Sequence, residues 1–365
     1  NDDGDFVGFD VVIGNPPYFN ISNNEYSKSM YFDKIATNTT NITSIFINLG
    51  NSIGKNIFAY IVPKSICTVE SWSKSRDILL NEVTINIVCD VGMAFDNVGL
   101  EQIFFISNKP YKDTNKIQIL SKFIHQNYIE QKFFQDAKSI LTTLEEGIYN
   151  LVKKIKGEEL KNIADMPRGI FINNKYLSNV PHPDSVLFLG GTNISKYEIK
   201  DGGKRKQNRY IINNHEMIKG KAESVFNKRR IVYQNICSSV PKIVGTIIND
   251  MPTDDTLNNL IINDEMFSYE YILALLHSSL FTFYLKKVII NDSILTVHLD
   301  KPYVGKFKIL RISQEMQIPF IELVDIILTK KENGEDTSIE ENKIDRMVYE
   351  LYGLTEDEIK IVEGN

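Results

Sequence analysis

Cysteine is scarce in this chain: Cys67, Cys89 and Cys237 lie far apart, with no CxxC pair among 365 residues. A disulfide framework is therefore excluded, and a cytoplasmic, prokaryotic-type location is expected. No apolar run approaches the roughly 18 residues that cross a bilayer, and no basic, apolar, small-residue leader is recognisable. Neither a membrane nor export is expected. Histidine is equally sparse. His125, His182, His215, His277 and His298 show no ligand spacing with one another or with cysteine, which points to structural or surface roles and to no metal. With 20 Gly and 11 Pro the chain has too few breakers for a collagenous or low-complexity protein.

What is present is an ordinary globular composition, 42% hydrophobic and 24% charged, long enough for two or three domains. The net charge of −6, taken alone, argues against a nucleic-acid partner. It averages over opposed blocks, however. Residues 196–230 hold eleven basic and four acidic residues, whereas residues 313–365 hold five basic and fourteen acidic.

The first 125 residues alternate strand-like and helix-like segments. Phe9–Gly14 is a short β-branched run suited to a buried parallel strand. Ile42, Ile45, Phe46, Leu49 and Ile53 recur by three or four, as on one helix face. Ile57–Val62, Thr84–Val91 and Ile103–Ser107 read as strands, and Ser71–Leu80 as a helix. This alternation implies an α/β layer with a mainly parallel sheet. Residues 140–156 are predicted to form a joining helix. From about 157 to 312 short strands dominate, among them Ser185–Leu189, Arg230–Tyr233 and Lys242–Ile248, with one strong helix over Tyr269–Leu285. Residues 314–365 are helical again, with Gly353 as a C-cap and capping boxes at Ser338/Glu341 and Thr355/Glu358.

One motif carries chemistry. Asn15-Pro16-Pro17-Tyr18 directly follows the strand FDVVIG, at the carboxyl end where α/β sheets bind ligands. An amine such as adenine N6 is a poor nucleophile because its lone pair is delocalised into the ring. The Asn15 side-chain oxygen and the Pro16 carbonyl can accept its two hydrogens and favour a tetrahedral nitrogen. The prolines fix the backbone that presents that carbonyl. Tyr18 offers a flat face for a base removed from the duplex, a contact typically worth about 1–3 kcal/mol.

FDVVIGNPPYFN resembles motif IV of amino-methyltransferases dependent on S-adenosylmethionine, especially the N6-adenine DNA methyltransferases of type II and IIG restriction-modification systems. YFDKIA and SIFINLGNSIGKNIFAYIVPKSI are similar to the family's following helix, strand and Pro-Lys-Ser segment. VCDVGMAFDNVGLEQIFFISNK is similar to its strand-turn-strand carrying a phenylalanine that packs on the flipped adenine, which implies that role for Phe95. FLGGTNISKY, KRRIVYQNI and YILALLHSSLFTFYL resemble parts of the target-recognition domain, and IDRMVYELYGLTEDEIKIVEG its helical end.

The resemblance implies a partial Rossmann-like methyltransferase sheet over residues 1–125 and a linker helix over 126–156. An α+β target-recognition domain over 157–312 and a helical C-terminal segment over 313–365 would follow. It implies double-stranded DNA with a flipped adenine as partner and S-adenosylmethionine as cofactor. Of the cofactor site only the edge, at Pro17, is expected here, because no glycine-rich loop precedes Asn15 in this sequence. A C-terminal piece of a larger enzyme is therefore expected, poorly bound to the cofactor and inactive alone.

In the family's context the basic block becomes a candidate DNA surface: Lys204, Arg205, Lys206, Arg209, Lys228, Arg229 and Arg230, with Tyr233 beside them. Pro183-Asp184 followed by Glu198-Ile199-Lys200 fits a loose nuclease pattern of a kind that chance often produces. Two alternatives remain at this stage, a DNA-specificity module without catalysis and a protein glutamine-N5 methyltransferase, which also uses NPPY.

Overall fold

The computed structural model describes residues 3–21, 39–200, 209–212, 216–237 and 240–364. They form two compact units, residues 1–149 with 290–295, and residues 150–289 with 296–365.

The first unit is built on a six-stranded sheet. Its elements are β1 (Phe9–Gly14), α1 (Thr43–Ile53), β2 (Gly54–Pro63), α2 (Ser73–Asn81), β3 (Thr84–Gly92), β4 (Gln102–Asn108), β5 (Lys116–Ser121), β6 (Ile124–Glu130) and α3 (Gln131–Ala137). The spatial order is β1-β2-β4-β3-β5-β6. The α/β class holds, but the sheet is mixed rather than mainly parallel. β1 runs parallel to β2 and β3 to β5, while the β2/β4, β3/β4 and β5/β6 pairs are antiparallel. The reason lies in the connections. β3 and β4, and β5 and β6, are joined by loops too short for a crossover, so each pair must turn back on itself. Lys122 and Phe123, with φ of 47° and 65°, make the tighter of those turns.

β1 pairs with β2 on one side only, and Val11 and Ile13 are 54% and 79% exposed. The strand is thus parallel, as expected, but not buried, because it forms the sheet's edge among the described residues. β2 and β4 carry the core: the rings of Phe58 and Phe105 meet edge to face at 5.1 Å, and both are buried. Burying each such side chain stabilises by about 1.5–3 kcal/mol. α1 approaches β2 closely at Gly50, where a Cβ would stand 2.5 Å from the Phe58 ring. Trp72 lies in the same unit and is buried.

Segment 126–156 is not one linker helix. It begins in β6, continues through α3, and only Glu146–Lys154 (α4) is helical beyond residue 140; the division between the units falls inside α4. Ile140, Leu141 and Leu144 are buried in non-helical chain.

The second unit holds a four-stranded sheet of β7 (Ala164–Asp165), β10 (Arg230–Gln234), β11 (Gly245–Ile248) and β12 (Leu257–Ile262), in the order β11-β10-β12-β7. A smaller ribbon pairs β8 (Ser185–Leu187) with β9 (Tyr210–Ile212). Helices follow: α5 (Tyr269–His277), α6 (Ser279–Tyr284), α7 (Gln314–Glu332), α8 (Ser338–Leu351) and α9 (Glu356–Glu363).

The single helix expected over Tyr269–Leu285 is broken at Ser278 and bent by 61°. Ser278 leaves the helical region, and its hydroxyl accepts from Phe281 N at 3.3 Å, starting a new helix. Asp345 holds the break by accepting from Ser279 N and Oγ at 2.6 and 2.8 Å. The Thr355/Glu358 capping box is formed, and Gly353 takes a φ of 68° after α8. The Ser338 box is not, because α8 is preceded by Thr337, whose hydroxyl reaches Glu341 at 2.6 Å instead. No single helix among the described residues is long and apolar enough to cross a membrane.

Candidate functional site

Asn15 to Tyr18 leave the carboxyl end of β1 as a non-helical loop. Their backbone is tied down from residues 41–43. Thr43 Oγ1 donates to the Pro17 carbonyl at 2.6 Å, and Asn41 Nδ2 donates to the Tyr18 carbonyl at 3.1 Å. Asn41 Oδ1 in turn accepts from Thr43 N at 3.0 Å. Among the described residues the Pro16 carbonyl takes no hydrogen bond. The Tyr18 hydroxyl reaches Asn15 Oδ1 at 2.8 Å and the Ile61 carbonyl at 3.0 Å. Burial pushes its pKa up to about 12, so it stays a donor across the working pH range. The loop therefore presents an oriented amide oxygen and, next in sequence, a carbonyl with no hydrogen bond among the described residues. Asn41 and Thr43 were not singled out from sequence, although an Asn/Thr-rich stretch ahead of a helix is the signature of such side-chain to backbone bonds.

Phe95 is partly buried in the loop between β3 and β4. The strand register brings that loop and Asn15–Tyr18 to the same end of the sheet, since Gly14 aligns with Tyr60, and Pro63 and Gly92 both align with Gln102. Among the described residues the Phe95 and Tyr18 rings form no ring pair.

A buried charge cluster lies at this end of the sheet as well. Lys64 Nζ lies 2.7 Å from Asp90 Oδ2 and 3.4 Å from Glu101 Oε1, with all three side chains less than a tenth exposed. Thr142 Oγ1 donates to Asp90 Oδ2 at 3.1 Å, and Ile294 N to Glu101 Oε2 at 3.2 Å. Burial works against the Lys64 charge, but Asp90 and then Glu101 outweigh it and hold its pKa above the ordinary lysine value. Cys67 beside them is inert, its thiol pushed up to about 12 by burial. The signal for this cluster was legible as lone charges inside apolar runs, in IVPKS, VCDVG and GLEQIFF.

The candidate DNA residues divide sharply. Lys204, Arg205 and Lys206 lie outside the described residues. Lys228 is exposed. Arg229 is exposed but paired with Glu270, its guanidinium 5.6 Å from the Tyr269 ring centroid. Arg209 is paired with Asp254 and 30% exposed.

Arg230 and Tyr233 do not belong to a DNA surface, since both are fully buried in β10. The Arg230 guanidinium donates to the carbonyls of Phe226 and Lys228 at 2.9 Å, to that of Met251, and to Asn259 Oδ1 at 2.8 Å. Its pKa is pulled down to about 10 by burial. β10 is the inner strand between β11 and β12, which explains why its side chains are enclosed. Among the described residues no three His, Cys, Asp or Glu side chains gather as a metal site, Asp184 and Glu198 included.

Two stretches of the chain are similar to known protein families. Residues 2–96 match the Eco57I restriction-modification methylase model, and residues 186–309 match the TaqI-like C-terminal specificity domain. A Methanocaldococcus jannaschii protein bearing the name type II restriction enzyme and methyltransferase RM.MjaORFECS2P is 27% identical over 389 residues, which cover 94% of this chain and 31% of that protein. The type IIL restriction-modification enzyme MmeI, solved in complex with DNA, is similar with a TM-score of 0.62 at 12% identity, over 97% of this chain and 56% of MmeI. At that identity the likeness is one of fold. The chain thus spans about a third of the curated relative. It joins a segment similar to the Eco57I restriction-modification methylases to one similar to the TaqI-like specificity domain.

Proposed function

We propose that the whole protein methylates adenine N6 at chosen sites in duplex DNA, using S-adenosylmethionine, and that this chain supplies the amine-activating loop and the sequence-reading domain. The observation that supports the reading is an oriented Asn15 Oδ1 at the end of β1, followed by a Pro16 carbonyl that takes no hydrogen bond among the described residues. Two acceptors suit the two hydrogens of an exocyclic amine. Holding both hydrogens localises the nitrogen lone pair for in-line attack on a methyl carbon. Tyr18 and Phe95 would flank the extruded base, Tyr18 supplying a stacking face and Phe95 the second ring once the loop engages it.

S-adenosylmethionine supplies the methyl group when bound. The described residues do not make up a whole site for it. Pro17 is the expected edge, and its carbonyl is already held by Thr43 Oγ1. The mechanism is therefore confined to what Asn15, Pro16 and Tyr18 do to the amine.

The specificity-domain match favours DNA over a protein glutamine amide, which needs no such domain. Lys228 and Arg229, with Arg209, would contribute the contacts of this chain to the duplex. Replacing Asn15 by Ala in the whole protein is expected to abolish methyl transfer to DNA while gel-shift affinity and its salt dependence stay near wild type. Methylation that survives Asn15→Ala overturns the reading.

A further inference from the structure

The second unit contains a groove of about 860 Å³ whose lining is polar but mostly uncharged, including Asn179, Thr192, Gln234 and Thr256. One ion pair stands in it, Arg209 with Asp254. The arginine is held on several sides. Its Nη2 donates to Asp254 Oδ2, its guanidinium carbon lies 5.5 Å from the Phe188 ring centroid, and its carbonyl accepts from Phe188 N at 2.8 Å. Asp254 is itself anchored, with Oδ1 accepting from Thr256 N at 2.9 Å. Gly190 completes the cradle, since a Cβ there would collide with both Arg209 Nη2 and Asp254 Oδ2. Gly191 N donates to Thr256 Oγ1 at 2.7 Å, and Gln234 Nε2 donates to the Gly191 carbonyl at 2.8 Å, which locks the glycine turn to the floor.

We propose that Arg209, oriented by Asp254, is the specificity-determining residue that reads a guanine edge in this groove. The inference rests on the reading of this unit as a binder of duplex DNA. A phosphate is the weaker ligand for this arginine. The adjacent carboxylate offsets the guanidinium charge, so the pair attracts a phosphate little and Asp254 repels it. Direction survives where net charge does not. The guanidinium is a rigid fork of five N–H donors, so one nitrogen pinned by Asp254 leaves further donors on a residue that lines the groove. A guanine presents two acceptors, O6 and N7, side by side in the major groove, whereas adenine presents one acceptor and one donor. A donor-only group therefore accepts the first and rejects the second. Asp254 is a positioning residue.

The experiment selects bound duplexes from a randomised library with the wild-type chain, Arg209→Ala and Arg209→Gln, and measures affinity against salt for each. Wild type is expected to enrich guanine at one position. Arg209→Ala should relax that position by about tenfold or more, leaving the others and the salt slope intact, and Arg209→Gln should shift it toward adenine. Asp254→Asn should weaken the same preference. Uniform loss of affinity across sequences with a salt slope reduced by about one identifies a phosphate contact and overturns the inference. An unchanged preference in both Arg209 variants overturns it too. If the wild-type chain binds duplexes without preference, or binds none, the DNA-reading assignment of the unit fails and this inference falls with it.

Discussion

The Tyr18 hydroxyl donates to Asn15 Oδ1 at 2.8 Å, so the aromatic residue of the NPPY loop sets the direction of the amide that precedes it. On the proposed reading Tyr18 then has two separable parts, a hydroxyl that orients and a ring that would stack on the base. Tyr18→Phe keeps the ring and should slow methyl transfer by about fivefold, the worth of one net hydrogen bond. Tyr18→Ala removes stacking too and should cost a further ten- to hundredfold, from about 1–3 kcal/mol. Initial rates of label transfer to DNA by the whole protein distinguish the two. Equal losses would show that the hydroxyl has no part in it.

Lys64 neutralises one of the two carboxylates enclosed with it. Lys64→Met strands Asp90 and Glu101 and should destabilise the first unit by about 3–5 kcal/mol. The single tryptophan, Trp72, lies in that unit, so its fluorescence in urea reports the change directly. The folded pKa of Lys64 lies above its unfolded value, so the stabilisation is complete below about pH 10.5 and is lost as pH rises through the folded value. Wild type should therefore weaken on the alkaline side in a way that Lys64→Met does not.

His277 titrates in the opposite sense. Its ring is buried, meets Tyr197 edge to face at 4.3 Å, and has neither nitrogen hydrogen-bonded among the described residues. Burial, and then the nearby Lys196 charge, pull its pKa well below the ordinary histidine value. The unfolded chain takes up a proton near pH 6.5 that the folded one refuses. Stability of the second unit is thus whole above that pH and falls below it, by at most about 1.4 kcal/mol per pH unit. His277→Phe should flatten this acid limb, as read by amide exchange in α5. An identical limb in the variant would assign the effect to other groups.

Arg230 is a structural cation, and its replacement should look unlike that of Arg209. Arg230→Ala leaves the carbonyls of Phe226, Lys228 and Met251 without their donor, and should cost about 3 kcal/mol or more of second-unit stability. Protein that remains folded should keep the wild-type base preference. A change of preference at one position in that folded fraction would return Arg230 to the DNA surface.

Much of the first unit was legible because its signals are local. The helix Thr43–Ile53 and the strands around residues 57–62, 84–91 and 103–107 follow from side-chain periodicity within a few residues. The NPPY loop at a strand end is likewise written into successive residues, since proline restricts its own backbone and that of its predecessor. The Thr355 capping box was equally local. The break at Ser278 was not, because Asp345 secures it from 66 residues away.

The sequence by itself determined the place of Asn15 to Tyr18 as a loop at a strand end, the alternation of strands and helices in the first 125 residues, and the basic block at residues 196–230. Only the tertiary structure decided how three of that block's arginines are placed. Arg209, Arg229 and Arg230 carry the same charge. Asp254 holds the first in a groove, Glu270 pairs the second at the surface, and Met251 and Asn259 close over the third. The partners come from 21 to 45 residues away in the chain. Charge is a property of the residue, whereas burial and pairing belong to whatever distant segment packs against it.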